Sequence, residues 1–129
     1  LREWNMGDFC GHIVKLTDNP ADTPIDMSGD VIYAPYALLS NDDYVPPNGE
    51  SYNMFIARVR KAMLDIAKNA DGKTIAIATH TGVAKNIIKQ FTDIKWPRGG
   101  MPNAEYLKLK YDGEKFTLPE VPDWLSSPF

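Results

Sequence analysis

Between residues 55 and 67 the apolar positions Phe55, Ile56, Val59, Ala62, Met63, Ile66 and Ala67 recur at spacings of three and four, with Lys and Arg between them. This stripe predicts an amphipathic helix over residues 52–69 with one buried face. Ser51 offers a hydroxyl to an orphan amide of the first turn, and Asp71-Gly72 supplies a stop. Residues 73–79, Lys-Thr-Ile-Ala-Ile-Ala-Thr, run apolar and β-branched without polar alternation, the pattern of a central strand covered on both faces. Thr81-Gly82 turns the chain into a second helix carrying Val83, Ile87, Ile88 and Phe91, expected to continue until Trp96-Pro97 and Gly99-Gly100 break it. Tyr106, Leu107, Leu109 and Tyr111 are separated by lysines, and Asp112-Gly113 leads into residues 115–118. That pattern predicts a hairpin at a sheet edge.

Residues 18–49 read differently. Pro20, Pro24, Pro35, Pro46 and Pro47 block any long helix, and Asp, Asn and Ser fill the intervals. One long, lid-like loop is expected, because loops of this length inside a domain are usually functional. The apolar patch at residues 31–39 pins it to the body, and Tyr33, Tyr36 and Tyr44 either line a pocket or anchor the loop. Helices interleaved with strands indicate an α/β class. One central strand and a hairpin make a thin sheet, so an upstream segment is expected to complete it.

The chain has 129 residues, 43% hydrophobic and 24% charged, which fits one folded domain over residues 1–129. Its net charge of −3 and lack of basic runs argue against nucleic acid as a partner. Cys10 is the sole cysteine, so no intramolecular disulfide forms and a reducing, cytoplasmic setting is expected. No apolar run reaches the roughly 18 residues of a membrane span, and no signal pattern opens the chain. Starting at Leu1 rather than Met suggests an absent upstream piece.

Two residues stand out chemically. His80 closes the expected strand just before a helix N-terminus, the place where ligands bind in open α/β sheets. The amides of Thr81 to Val83 and the helix dipole would favour an anion such as phosphate there. Equally, His80 could simply end the strand and bond locally. Glu3 lies beside Trp4, an apolar neighbour that suits a carboxyl to general-acid work, or it is a solvated glutamate near a chain end. His12 reads as structural, and Cys10 as a buried, inert thiol.

Three separated stretches, with a fourth in the tail, then carry a resemblance. Leu1-Arg2-Glu3-Trp4-Asn5-Met6-Gly7-Asp8-Phe9-Cys10-Gly11 resembles the Leu-x-Glu-x-x-x-Gly-x-x-x-Gly motif of the histidine phosphatases, the phosphoglycerate-mutase-like superfamily. Gly49-Glu50-Ser51, followed by the helix with Arg58, is similar to that family's Gly-Glu-Ser segment. Thr79-His80-Thr81-Gly82-Val83 resembles the strand end bearing its second active-site histidine. Pro102-Asn103-Ala104-Glu105 through Tyr111-Asp112-Gly113 is similar to its last Asn-led strand.

The resemblance implies a three-layer α/β sandwich, incomplete in these residues. It implies that Glu3 protonates the leaving alcohol and that His80 hydrogen-bonds the transferring phosphoryl group. The helix-start amides at Thr81 and Gly82 would add donors to the substrate, and Glu50 is either a substrate contact or a carboxylate that favours the helix dipole just before the N-cap; no metal or cofactor is implied. Both catalytic roles suit phosphoryl transfer, which needs charge stabilisation on the equatorial oxygens and a proton for the departing oxygen.

The departures also bear on function. The family's nucleophile sits in an Arg-His-Gly motif that does not occur here, and none of Arg2, Arg58, Arg60 and Arg98 falls at a phosphate-clamp position of the family. Phe9-Cys10-Gly11 stands where Trp-Glu-Gly is frequent, and Thr81 where glycine is common. The expectation is a phosphomonoesterase acting on a phosphorylated small molecule or phosphopeptide, with its nucleophile upstream and these residues inactive alone. A non-catalytic phosphate-binding or interaction module is the alternative. Association through an open sheet edge, or with the N-terminal segment, would follow from the thin sheet.

Overall fold

The computed structural model describes residues 1–97 and 100–126. Its backbone gathers into two units, one of Trp4–Ala57 and one of Leu1–Glu3 with Arg58–Phe129. Arg98 and Gly99 lie outside the described residues.

In the unit Trp4–Ala57, a short 3-10 turn at Gly7–Phe9 precedes strand β1 (Ile13–Thr17). This strand pairs in parallel with β2 (Val31–Pro35), Ile13 facing Val31 and Thr17 facing Pro35. Parallel neighbours need a long crossover, which residues 18–30 provide. Along β2 the alternation of a strand buries Ile32 and Ala34 against Phe9. Met6, Val14, Ile25, Met27, Leu39 and Tyr44 close around them. A helical turn, α1 (Tyr36–Leu39), follows directly.

The segment expected as one long loop over residues 18–49 therefore carries a strand and a helical turn. Its prolines are compatible with this, since Pro35 sits at the end of β2, where a missing N–H costs least. The apolar patch does anchor the segment. Of its tyrosines, Tyr44 packs on Phe9 with ring centroids 6.4 Å apart, whereas Tyr33 and Tyr36 are exposed. Cys10 is also exposed, contrary to the buried thiol expected: it caps the 3-10 turn, and Phe9 takes the inward position. His12 is structural in its contacts, with Nδ1 3.1 Å from the Gly29 carbonyl oxygen.

Helix α2 (Tyr52–Asn69) has the expected bounds. Ser51 Oγ accepts the Met54 N–H at 3.1 Å, and Asp71 and Gly72, both at positive φ, end the helix region. Phe55 from its first half is buried, with Trp4 and Tyr52 rings around it.

In the unit with Arg58–Phe129, Val59 and Met63 of α2 are buried, as are Val83, Ala84, Ile87 and Ile88 of helix α3 (Thr81–Phe91). α3 stops earlier than Trp96-Pro97. At the C-cap, Thr92 donates both its backbone N–H, at 3.0 Å, and its Oγ1, at 2.8 Å, to the Ile88 carbonyl, and Oγ1 accepts the Ile94 N–H, so the chain beyond turns onto a side chain. Strands β3 (Lys110–Tyr111) and β4 (Phe116–Thr117) form the expected hairpin, much shorter than its sequence pattern. The Phe116 ring meets Phe91 and Tyr111 in tilted contacts, with centroids 4.6 and 4.8 Å apart. A last turn, α4 (Asp123–Ser126), buries Leu125.

The expected central strand at residues 73–79 is the clearest correction. The stretch is not paired into either sheet, and Ile75 and Ile77 are 49% and 38% exposed. A strand exists by its ladder partners, and among the described residues both sheets are two-stranded and neither reaches this stretch. Mixed helix and strand agree with the α/β class. No helix among the described residues is long and apolar enough to cross a membrane.

Candidate active site

The N-terminus of α3 is where the chemistry collects. His80 is the N-cap residue, with extended backbone at φ −114° and ψ 158°, and its side chain makes no capping bond to the helix. The first-turn amides therefore call for another acceptor. Glu3 supplies it: Gly82 N–H donates to Glu3 Oε2 at 3.0 Å. A carboxylate is the favoured group at that end of a helix, by about 0.3–1 kcal/mol at exposed sites. Lacking a side chain, Gly82 permits the approach. A Cβ there would stand 2.6 Å from Glu3 Oε2 and 2.7 Å from Glu3 Cδ.

Residues 1–3 are held along their length. Thr79 Oγ1 donates to the Leu1 carbonyl at 2.7 Å. Arg58, on α2, donates from Nη1 to the Arg2 carbonyl at 3.1 Å and from Nη2 to the Glu3 carbonyl at 3.2 Å. Within the helix, the buried Asn86 side chain donates to the Gly82 carbonyl at 3.0 Å, stiffening the first turn. Glu3, His80, Thr81 and Gly82 thus belong to one neighbourhood, two of them linked by a direct bond.

Glu50 has a different setting. It is 5% exposed, within the unit Trp4–Ala57, and its Oε1 accepts the Asn5 N–H at 3.0 Å. Its own N–H donates to the Asn5 carbonyl at 2.9 Å, and its carbonyl accepts Trp4 Nε1–H at 2.9 Å. The same zipper continues through Asp8 N–H to the Pro47 carbonyl at 2.8 Å. Gly7, at φ +57°, lets the two backbones meet, since a Cβ on it would lie 2.7 Å from the Asn48 carbonyl carbon.

Arg58 and Thr79 stand in the motif stretches, but their sequence context gave them no role. Both act on main-chain carbonyls, and nothing in a residue type announces such an acceptor. Among the described residues, no group of three or more His, Cys, Asp or Glu is placed to hold a metal ion.

No curated protein and no solved structure matches the chain. A family model described as the histidine phosphatase superfamily (branch 1) matches residues 1–123, a span that takes in Glu3, Glu50, His80, Thr81 and Gly82. Matched over nearly its whole length, the chain belongs to the histidine phosphatase superfamily.

Proposed function

We propose that these residues form the general-acid and phosphate-binding part of a phosphomonoesterase working through a phosphohistidine. The observation that carries the reading is the Glu3–Gly82 hydrogen bond, which sets a carboxyl group at the helix start, two residues after His80. The nucleophilic histidine is assigned to a segment outside residues 1–129, because no Arg-His-Gly occurs within them. With that segment the sheet would be completed toward the three-layer sandwich typical of the family.

In the first step the nucleophile's nitrogen bonds to phosphorus as the phosphorus–oxygen bond to the alcohol breaks, and protonated Glu3 gives its proton to the departing oxygen. In the second step, water attacks the phosphohistidine and returns a proton to Glu3, releasing phosphate. His80 and the Thr81 amide stabilise charge on the equatorial oxygens throughout. The Gly82 amide holds Glu3, and Glu50, bonded to Asn5, serves to shape the segment that follows Glu3. The substrate is a phosphorylated small molecule or phosphopeptide, in a cytoplasmic setting, and the chemistry assigned to these residues uses no metal.

The test compares residues 1–129 with a longer form carrying Arg-His-Gly, on alkyl phosphates and on p-nitrophenyl phosphate in EDTA. The longer form is expected to turn over and residues 1–129 to match buffer. Glu3→Gln should slow alkyl phosphates by about 10²- to 10⁴-fold and aryl phosphates far less, since a good leaving group needs no proton. His80→Ala should slow both alike, by about 10²-fold or more. Equal slowing of both substrates by Glu3→Gln would remove Glu3 as the acid. Phosphate binding without turnover by the longer form would establish a non-catalytic module instead.

A further inference from the structure

We infer that Arg58 is a positioning residue for Glu3, acting through the main chain; this rests on the reading of Glu3 as the general acid. The Glu3 carboxylate accepts the Gly82 N–H. A contact at the end of a side chain orients a carboxyl only as well as the backbone that carries it is held. Arg58 holds that backbone. Its guanidinium donates to two successive carbonyls, Arg2 and Glu3, at 3.1 and 3.2 Å, so both peptide planes flanking the Glu3 Cα are set by one rigid fork. The fork itself is carried by α2, an 18-residue helix with a capped first turn, and so has a firm base.

Nη1 and Nη2 each donate to a main-chain carbonyl, so the planar fork engages two adjacent peptide groups. A lysine could not replace the residue, since one ammonium on a flexible stem lacks the planar fork that spans two adjacent carbonyls. With Thr79 on the Leu1 carbonyl, every residue from Leu1 to Glu3 has its carbonyl held, and the carboxylate of the last one reaches Gly82. Holding a catalytic group within a fraction of an ångström is what such support achieves.

The first arm of the test needs no turnover and uses residues 1–129. The Gly82 amide resonance in a ¹H–¹⁵N spectrum reports the Glu3 bond, and Glu3→Ala defines its displacement when the acceptor is gone. Arg58→Ala is expected to move the Gly82 resonance in the same direction by at least about half as much, while the Ala84 and Ile88 amides deeper in α3 stay in place. Arg58→Lys should fall between wild type and Arg58→Ala, and it carries the comparison if the alanine variant fails to fold. An unmoved Gly82 resonance in the variant that folds overturns the inference. The second arm uses the longer form. Arg58→Ala should slow alkyl phosphates about tenfold or more and aryl phosphates about twofold at most, reproducing the leaving-group signature of Glu3→Gln. Equal slowing of both would mean a general structural role, and the positioning idea would fall. If the longer form hydrolyses neither substrate, the phosphatase reading fails, and the Gly82 resonance still decides whether Arg58 orients Glu3.

Discussion

Gly82 N–H donates to Glu3 Oε2 at 3.0 Å, closing a contact between residues 79 positions apart in the chain. The bond answers two needs at once. An orphan amide at the start of α3 gains an acceptor, and a carboxylate gains the positive end of a helix dipole. His80, as N-cap, supplies no such acceptor from its side chain, so a distant residue does the capping. A glycine at this position is thereby tied to Glu3, because any side chain would occupy the space the carboxylate fills.

Gly82→Ala separates the packing role from helix propensity. Alanine favours a helix interior by up to about 1 kcal/mol over glycine. Its Cβ, however, would stand 2.6 Å from Glu3 Oε2, so the carboxylate must move, and overpacking of this kind costs about 1–3 kcal/mol. The expected outcome is a net loss of up to about 2 kcal/mol in urea unfolding, together with loss of the Gly82–Glu3 bond by NMR. A gain in stability would show that the carboxylate leaves without cost.

Glu50→Ala tests the zipper between Trp4-Asn5 and Glu50. Removing the carboxylate strands the Asn5 N–H that donates to Oε1 at 3.0 Å, in a residue only 5% exposed. A lost buried partner costs about 1–3 kcal/mol, whereas Glu50→Gln keeps an oxygen in place and should cost less than about 1 kcal/mol. Urea midpoints of the two variants measure the difference. Equal losses would mean that charge, and not the hydrogen bond, holds the segment.

The β3–β4 turn should weaken in acid. Asp112 Oδ1 accepts the N–H groups of Lys115 and Glu114, both at 2.9 Å, and these bonds, led by that from Lys115, lower the Asp112 pKa below its ordinary value. A carboxyl with a lowered folded pKa stabilises the fold above its ordinary range. That contribution is lost as the pH falls through the lowered value. Amide exchange at Lys115 should therefore accelerate below about pH 4 in the wild type, and Asp112→Asn should abolish that acid step. Identical pH profiles in the two proteins would contradict this.

Local periodicity was decisive for α2. Its stripe from Phe55 to Ala67, the Ser51 cap and the Asp71-Gly72 stop are all short-range features, and its bounds follow from them. The start of α3 and the presence of the hairpin are legible for the same reason: turn chemistry acts over a few residues. Glu3 and His80 were legible as a pair only through the motif resemblance, since spacing in sequence carries no distance between them.

Tertiary structure decided the rest. Residues 73–79 have every local mark of a buried strand, yet a strand is made by a partner backbone, and the sequence of one strand does not contain its neighbour. Conversely β2, hidden among prolines, forms because Ile32 and Ala34 find β1 and Phe9 to pack against. Cys10 faces outward because Phe9 occupies the interior. The acceptors of Arg58 and Thr79 are main-chain carbonyls of residues 1–3, common to every amino acid, and only the folded chain selects which ones they reach. The sequence by itself carried the family, helix α2 and the start of α3, and it offered Glu3 and His80 as candidates, because these rest on short patterns. How Glu3 is held against α3 rests on contacts between distant segments, and those exist only once the backbone has closed.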